Sequence, residues 1–316
     1  MHEFSLIELL TKTIGAQTGA MEGVGDDAAI LPIPINHQLV VSTDTLVEGV
    51  HFNFGQAPET VGYKAMAASI SDLAAMGASP AWFFLALTLP SMKPEWVEKF
   101  ASGVGEVAQK APIKLVGGDV TSGPMNMTLT VCGLVEPGKA LLRSGAKPGD
   151  IVGISGPVGL AGRALSDQRR GVKPAPACIS ALYRPELRLG FGQALVGLAS
   201  SCIDISDGLL ADVSHISAAS NVGIQLDLET LPCPPELSDL PDDDRWDLQL
   251  GSGDDYELCF TAAPERWRDI EKAATKNGVK PAQIGKVIQG SGCQSIRPDG
   301  SVFNPGRSGY VHGVHS

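Results

Sequence analysis

Positive charge is scarce in this sequence. Its 316 residues carry 24 Lys and Arg against 35 Asp and Glu, a net charge of −11. A general nucleic-acid binder needs a basic face to neutralise phosphates, so that class is disfavoured. Any anion must instead be held through metal ions or backbone N–H groups. Long apolar runs are lacking as well: AWFFLAL at 81–87 is far short of the ~20 residues that cross a bilayer. MHEFSLIELL carries Glu3 and Glu8 with no basic lead, so no signal peptide is expected. The six cysteines offer no C-x-x-C pair, no two being closer than 24 residues. Apolar neighbours, as in TVCGLV and ELCF, mark several of them as reduced core residues. There is no G-x-x-x-x-G-K-[ST] stretch and nothing like the protein-kinase signature set. GISGPVGLAG at 153–162 is glycine-rich but lacks the lysine and the dinucleotide-binding spacing. The expectation is a cytoplasmic protein with no membrane or nucleic-acid partner.

Hydrophobic residues at 43% and charged residues at 19% describe a globular chain, long enough for two domains. Helical patterns cover 58–76, 94–110, 157–167, 186–200 and 207–220, with a further one in PERWRDIEKAATKNG. Strand patterns occur in WFFLALTL, IKLVGG, MTLTVCGLV, CIDIS, GIQLDL, DYELCF and AQIGKVI, and another starts at Asp150. Residues 173–185 read as a Pro-rich joint, and PDDD at 241–244 as a solvated loop. Pro148-Gly149 is a turn signal, and the domain boundary is placed near it, giving domains 1–140 and 141–316. Strands and helices intermix in both halves. Each half is therefore expected to be a mixed sheet with helices packed on it, an α+β or α/β architecture.

Five stretches share one pattern of apolar residues, small residues and then aspartate. They are GVGDDAAI (Asp26, Asp27), VVSTD (Asp44), KLVGGD (Asp119), CIDISDG (Asp204, Asp207) and LQLGSGDD (Asp254, Asp255). LVVSTDTLVEGVHF at 39–52 reads as a strand that ends in hydroxyls and a carboxylate. Asp72 lies on the 58–76 helix among the small residues Ala68, Ser69 and Ala75. Some of these acids also suit structural roles. Ser206 and Asp207 stand where a helix is capped, and Asp255 and one of Asp26/Asp27 suit turns. Asp44, Asp72 and Asp119 precede no obvious helix start. Carboxylates gathered in space repel unless cations join them, and hard oxygen ligands with Ser42 and Thr43 beside them suit Mg²⁺. Mg²⁺ held this way bridges to substrate phosphates, so phosphoryl transfer is the natural chemistry.

FSLIELL, GVGDDAAIL, VSTDTLVEGVHF, YKAMAASISDLAAMGASP, LVGGDVTSGP, LLRSGAKPGD, CIDISDGLLADVSHI, SGDDYELCF and a terminal GYVHG together resemble the thiamine-monophosphate kinase family. That family belongs to the superfamily of aminoimidazole ribonucleotide synthetase and selenophosphate synthetase, and the resemblance runs over nearly the whole chain. It implies a two-domain synthetase-like fold and direct, in-line phosphorylation of thiamine monophosphate by ATP, with several Mg²⁺ ions. It also implies a homodimer whose N-terminal domains join their sheets, with the sites in clefts beside that interface. On the family pattern the metal ligands fall on Asp27, Ser42, Thr43, Asp44, Asp72, Asp119 and Asp204, with Asp207 on a further ion. ATP contacts fall on Gly118, Asp119, Arg143 and Ser206, and thiamine-phosphate contacts on His51, Asp254 and Tyr310. Asp44, Asp72, Asp119 and Arg143 are the residues on which transfer itself would depend, Arg143 being the fixed positive charge in these motifs. Some family members have glutamate where this chain has Asp254. Two other readings use the same acids: a synthetase of the superfamily with another acceptor, and a non-catalytic ion- or nucleotide-binding protein. A selenophosphate synthetase would carry a reactive cysteine in an N-terminal glycine-rich segment, whereas the first cysteine here is Cys132, inside a strand pattern.

Overall fold

The structure, a computed structural model, describes residues 3–15 and 24–310. Val311 to Gly313 of the terminal GYVHG, and Gly23 of GVGDDAAIL, lie outside the described residues. The chain divides into two compact units, 1–73 with 78–138, and 74–77 with 139–316.

The first unit runs α1 (Glu3–Ile14), β1 (Gln38–Val47), α2 (Pro58–Ala75), β2 (Ser79–Leu89), α3 (Pro94–Lys110), β3 (Lys114–Ser122) and β4 (Asn126–Val135). Its sheet has the order β1-β4-β2-β3, with β4 antiparallel to both neighbours and β3 parallel to β2. The two central strands alternate with period two. Met127, Leu129 and Val131, with Phe83, Leu85, Leu87 and Leu89, are buried, while Thr128, Thr130, Ala86 and Thr88 between them are not. One face of the sheet is therefore a core face and the other is open. Each centre of the core face loses its water to aliphatic side chains, worth roughly 1.5–3 kcal/mol per fully buried residue.

α3 starts at Pro94, whose fixed φ suits the first helical position, and ends with Lys110 in its last turn. Its glycines, poor helix formers, have a packing reason. A Cβ on Gly103 would stand 2.0 Å from Glu59 O and 2.8 Å from Tyr63 N in α2, and one on Gly62 would stand 2.1 Å from Phe100 O. The two helices cross backbone to backbone there.

Strand β1 corrects the sequence reading. It does not end at Ser42 but continues through Val47, paired residue for residue with β4, so that Asp44 faces Leu129 across the ladder. Backbone hydrogen bonding to β4 outweighs the weak strand preference of Ser and Asp.

The second unit contains β5 (Ile151–Ile154), α4 (Leu160–Arg169), α5 (Pro176–Tyr183), α6 (Leu189–Leu195), β6 (Ser201–Asp204), α7 (Leu209–Ser220) and β7 (Gly223–Asp227). It continues with α8 (Asp242–Gly251), β8 (Leu258–Ala262), α9 (Trp267–Lys276), β9 (Ala282–Ile288), β10 (Gly292–Ile296) and β11 (Val302–Phe303). The seven-stranded sheet has the order β11-β10-β7-β9-β5-β8-β6 and is mixed, with β10 parallel to β7 and the other pairs antiparallel. One core joins the sheet to α7 and α8 through Val152, Ile203, Val213, Ile216, Ile224 and Leu250. β6 is an edge strand, and its last residue is Asp204.

Two expected irregular segments are helical. The Pro-rich joint contains α5, because Pro176 sits at its first turn, where a missing N–H does no harm. PDDD opens α8: Pro241 is the N-cap, and Asp242, Asp243 and Asp244 occupy the first turn, where the helix dipole favours negative charge. The helices expected at 157–167 and 186–200 are shifted or shortened to α4 and α6.

Gly103→Ala should lower the unfolding free energy of the first unit by about 2–3 kcal/mol, because the added methyl overlaps backbone rather than a movable side chain. A urea titration reads this directly, and an unchanged midpoint would show that α2 and α3 do not meet as described.

Candidate active site

In the first unit the predicted acids separate by sheet face. Ser42 and Asp44 are even-numbered residues of β1 and share its core side with Leu46, while Thr43 and Thr45 point to the open face. α2 lies on the core side, and Ser42 Oγ donates a short hydrogen bond to Asp72 Oδ2. Asp44 is coupled to Asp72 as well. Burial, and then the neighbouring Asp72 carboxylate, push Asp44 up to about 6, while the Ser69 hydroxyl pulls the other way. Asp44 Oδ2 is buried without a hydrogen-bond partner. Two carboxylates and a hydroxyl thus meet with an acceptor oxygen unsatisfied, which is an arrangement that fits a divalent cation with hard oxygen ligands.

The other predicted ligands of this unit sit elsewhere. Asp119 is exposed in β3, in register with Ala86, Thr128 and Thr45 on the open face. It is three strand spacings from β1, about 14 Å along the sheet. Gly118, beside it, approaches β2 so closely that a Cβ would stand 2.0 Å from Leu85 O. Thr43 Oγ1 and Thr45 Oγ1 pair across the ladder with Thr130 and Thr128, at 2.9 and 2.7 Å. Asp27 is exposed and donates its N–H to Asp26 Oδ1, so Asp26 takes the turn role. The chain beyond it crosses the open face, where Ala29 and Leu31 pack on Trp82, Val116 and Cys132. Among the described residues, no three His, Cys, Asp or Glu side chains form a ready-made metal centre.

His51 follows β1 in a tight turn. Val47 donates its N–H to His51 Nδ1 at 3.0 Å, and the His51 carbonyl accepts from the buried Lys64 Nζ at 3.2 Å. With Nδ1 serving as acceptor, the neutral ring carries its hydrogen on Nε2. Cys132 is buried in β4, and burial raises its thiol pKa, so it is no nucleophile.

The second unit gathers a different set around the loop between β6 and α7. Asp204 is 5% exposed at the end of β6, Ser206 is exposed, and Asp207 is half-buried. Neither Ser206 nor Asp207 is the N-cap of α7; Gly208 is. The capping work falls to Asp212, whose Oδ2 accepts from the N–H groups of Ser206, Asp207 and Gly208, each at 3.1 Å. Burial pushes Asp212 up to about 6 against the pull of those three donors. Asp254 and Tyr256 both hold left-handed backbone conformations, φ 67° and 52°, and Tyr256 OH donates to Asp254 Oδ1 at 2.9 Å. Between them, buried Asp255 accepts the Gly159 N–H with both oxygens, at 2.9 and 3.1 Å. Burial raises its pKa well above the usual carboxylate range. Asp255 thus ties its loop to the segment ahead of α4, a long-range contact rather than the local turn expected of it.

Behind this loop, Arg188 grips Glu257 with two N–H groups at 2.7 and 2.5 Å, and Ser155 Oγ donates to the same carboxylate. Tyr310 is 49% exposed, with its N–H donated to Asp207 O at 2.9 Å. Arg143 is exposed on the loop after β4, its carbonyl accepting from Ser220 Oγ at 3.3 Å. Asp212 and Arg188 escaped the sequence reading. The spacing S-D-G-x-x-x-D at 206–212, which sets an acid one turn past a loop, was the available signal for Asp212.

Residues 25–135 match the family described as AIR synthase related protein, N-terminal domain, and residues 147–296 its C-terminal domain. The two units thus define a two-domain AIR synthase-related protein. Over 320 aligned residues the chain is 42% identical to thiamine-monophosphate kinase of Escherichia coli strain K12, with 98% of each chain covered. The crystal structure of thiamine-monophosphate kinase from Stenotrophomonas maltophilia K279a is 38% identical, with a TM-score of 0.87 over 96% of this chain and 98% of that one. The structure of AaThiL complexed with AMPPCP and TMP is 30% identical, with a TM-score of 0.77 over 98% and 97% of the two chains. The chain belongs to the thiamine-monophosphate kinase family.

Asp44 ionises near 3.8 in the unfolded chain and near 6 in the folded one. The folded state therefore binds more protons between those values, and stability falls as the pH rises through them. In EDTA at pH 8, Asp44→Asn should stabilise the protein by about 1–2 kcal/mol, the full linkage being reduced by partial exposure. At pH 4 the gain should vanish. Denaturant titration at both values decides it; a loss of stability at pH 8 would contradict the coupling.

Proposed function

We propose that this chain phosphorylates thiamine monophosphate with ATP to give thiamine diphosphate and ADP, by direct transfer assisted by Mg²⁺. The observation that carries the reading is the Asp44–Asp72 pair, with Ser42 bonded to Asp72 and Asp44 Oδ2 unsatisfied. Kinship with thiamine-monophosphate kinases and with a relative complexed with an ATP analogue and TMP supports it.

The chemistry asks little of the protein as an acid or base. An oxygen of the acceptor phosphate attacks the γ-phosphorus, the bond from that phosphorus to the β–γ bridging oxygen breaks, and the electron pair leaves on ADP. A phosphate monoester with its second pKa near 6 is already an anionic nucleophile at neutral pH, so no side chain need remove a proton or become phosphorylated. The obstacle is repulsion between two anions, and bound Mg²⁺ supplies the charge neutralisation and alignment that overcome it. Asp44, Asp72 and Ser42 hold the ion side of the first unit. Asp27, Thr43, Asp119 and Asp204 complete the ligand set, with Asp207 serving a further ion. With Ser42 and Asp44 on one face of the first sheet and Thr43 and Asp119 on the other, these residues would suit several ions better than a single cage. Gly118, Asp119, Arg143 and Ser206 contact the nucleotide. His51, with Nε2–H as a donor, Asp254 and Tyr310 contact the acceptor, and Tyr310 offers a ring face to the thiamine moiety.

The reading includes two domains, 1–140 for metal ligands and dimerisation and 141–316 for nucleotide and acceptor contacts. The homodimer is supported by the open sheet face, where Leu39 and Val41 remain 38% and 54% exposed. A cytoplasmic setting is consistent with six free cysteines. No helix among the described residues is long and apolar enough to cross a membrane.

ADP release should require thiamine monophosphate and Mg²⁺ together. Thiamine alone, or EDTA in place of Mg²⁺, should give background rates in a coupled assay, and equal turnover of thiamine would overturn the acceptor assignment. Asp44→Asn should lower kcat about 100-fold or more at saturating Mg²⁺ while the protein stays folded. Wild-type rates would remove Asp44 from the site. After incubation with γ-labelled ATP and denaturation, the protein should retain no label, since a stable phosphoprotein would exclude direct transfer.

A further inference from the structure

Asp212 does more than cap a helix. A capping acid reaches back to the N-cap N–H; Asp212 reaches two residues further and binds three successive amides, those of Ser206, Asp207 and Gly208, with one oxygen. What it orders is the loop ahead of α7. The carbonyls of that loop are occupied as well. Ile205 O accepts from Tyr256 N at 2.7 Å, Ser206 O from Asp254 N at 2.9 Å, and Asp207 O from Tyr310 N at 2.9 Å. The Asp254 loop abuts it so closely that a Cβ on Gly253 would stand 2.1 Å from Ser206 O. Asp254 and Tyr256 sit in the left-handed region, a conformation that non-glycine residues hold at a cost of about 1 kcal/mol or more unless their surroundings fix it. Their two N–H bonds to the loop are part of what fixes it. Every acceptor-side segment of this unit named above, at Asp254 and at Tyr310, is thus hydrogen-bonded to the backbone that carries Ser206, on the nucleotide side, and the ion ligand Asp207.

We infer that Asp212 is a positioning residue for both reactants, setting the register between Ser206 and Asp207 on one side and Asp254 and Tyr310 on the other. Its kinetic consequence rests on the kinase reading above, whereas its structural consequence does not. The acid touches neither reactant and acts only through the loop.

Two measurements on the full chain test it, using Asp212→Ala and the near-isosteric Asp212→Asn. Amide hydrogen exchange needs no activity. In both variants, peptides covering 204–210 and 253–258 should exchange about tenfold faster or more, with β9 unchanged. Unchanged exchange at 253–258 would overturn the inference whatever the enzyme does. In steady-state assays, Asp212→Ala should raise KM for ATP and KM for thiamine monophosphate together, each about tenfold, and lower kcat, with Asp212→Asn between it and wild type. A merely structural role would lower the active fraction and leave both KM values alone; that result, or a shift confined to one substrate, would refute the coupling. If Asp212→Ala does not fold, Asp212→Asn carries both tests, with the same roughly tenfold exchange and KM shifts of about threefold. If the wild-type chain does not phosphorylate thiamine monophosphate, the kinase reading fails, and the exchange data still decide the role of Asp212.

Discussion

The first unit keeps Asp44 and Asp72 close together on the core side of a sheet, where water cannot fully solvate either. Without a cation this arrangement is unfavourable, as the rise of Asp44 to about 6 and its unsatisfied oxygen both record. The fold holds it in place from several directions. β1 is locked to β4 along its whole length, so Asp44 cannot swing to the open face without a register slip that would also expose Leu46. α2 is fixed by its backbone crossing with α3 at Gly62 and Gly103, and the Ser42–Asp72 hydrogen bond ties helix to strand. Such a pair costs the folded protein stability, and a divalent ion held between the two carboxylates would relieve that repulsion.

The second unit holds its loops in register largely through backbone hydrogen bonds. Gly208 and Gly253 allow the loops around Ser206 and Asp254 to approach within hydrogen-bonding distance. Asp212 and Asp255 then each spend a buried carboxylate on holding main-chain N–H groups, those of the 206–208 loop and of Gly159. Arg188 and Ser155 satisfy Glu257 in the same neighbourhood. Such buried, fully partnered groups are rigid because leaving any one of them unpaired is costly.

Much of this was legible in the sequence where one local signal dominates. Pro94 and the apolar spacing that follows it mark α3, and the alternation in MTLTVCGLV marks β4. Asp44, Asp72 and Asp119 stood out because none suits a cap, and the structure brings only the first two together. The failures occurred where long-range pairing or electrostatics overrode local preference. Ladder bonds to β4 carry β1 through Ser42, Thr43 and Asp44. Pro176 and the acids at 242–244 start helices rather than loops, because each suits a first turn. The placement of Asp119 on the opposite face from Asp44, and three strands away, depends on the register and order of strand pairing, which no local spacing encodes. Asp212 was missed because its partners are backbone amides, invisible in side-chain patterns.

Calorimetric titration of Mg²⁺ into the protein with a non-hydrolysable ATP analogue, run in buffers of differing ionisation enthalpy, tests the central claim most directly. If the ion binds at Asp44 and Asp72, binding near pH 6 must expel the proton that Asp44 holds there. Affinity should then fall about tenfold or more from pH 8 to pH 5, and the proton release should disappear in Asp44→Asn. Equal affinity at both pH values, with no buffer dependence, would mean that the ion binds elsewhere and that the pairing of these two carboxylates has another cause.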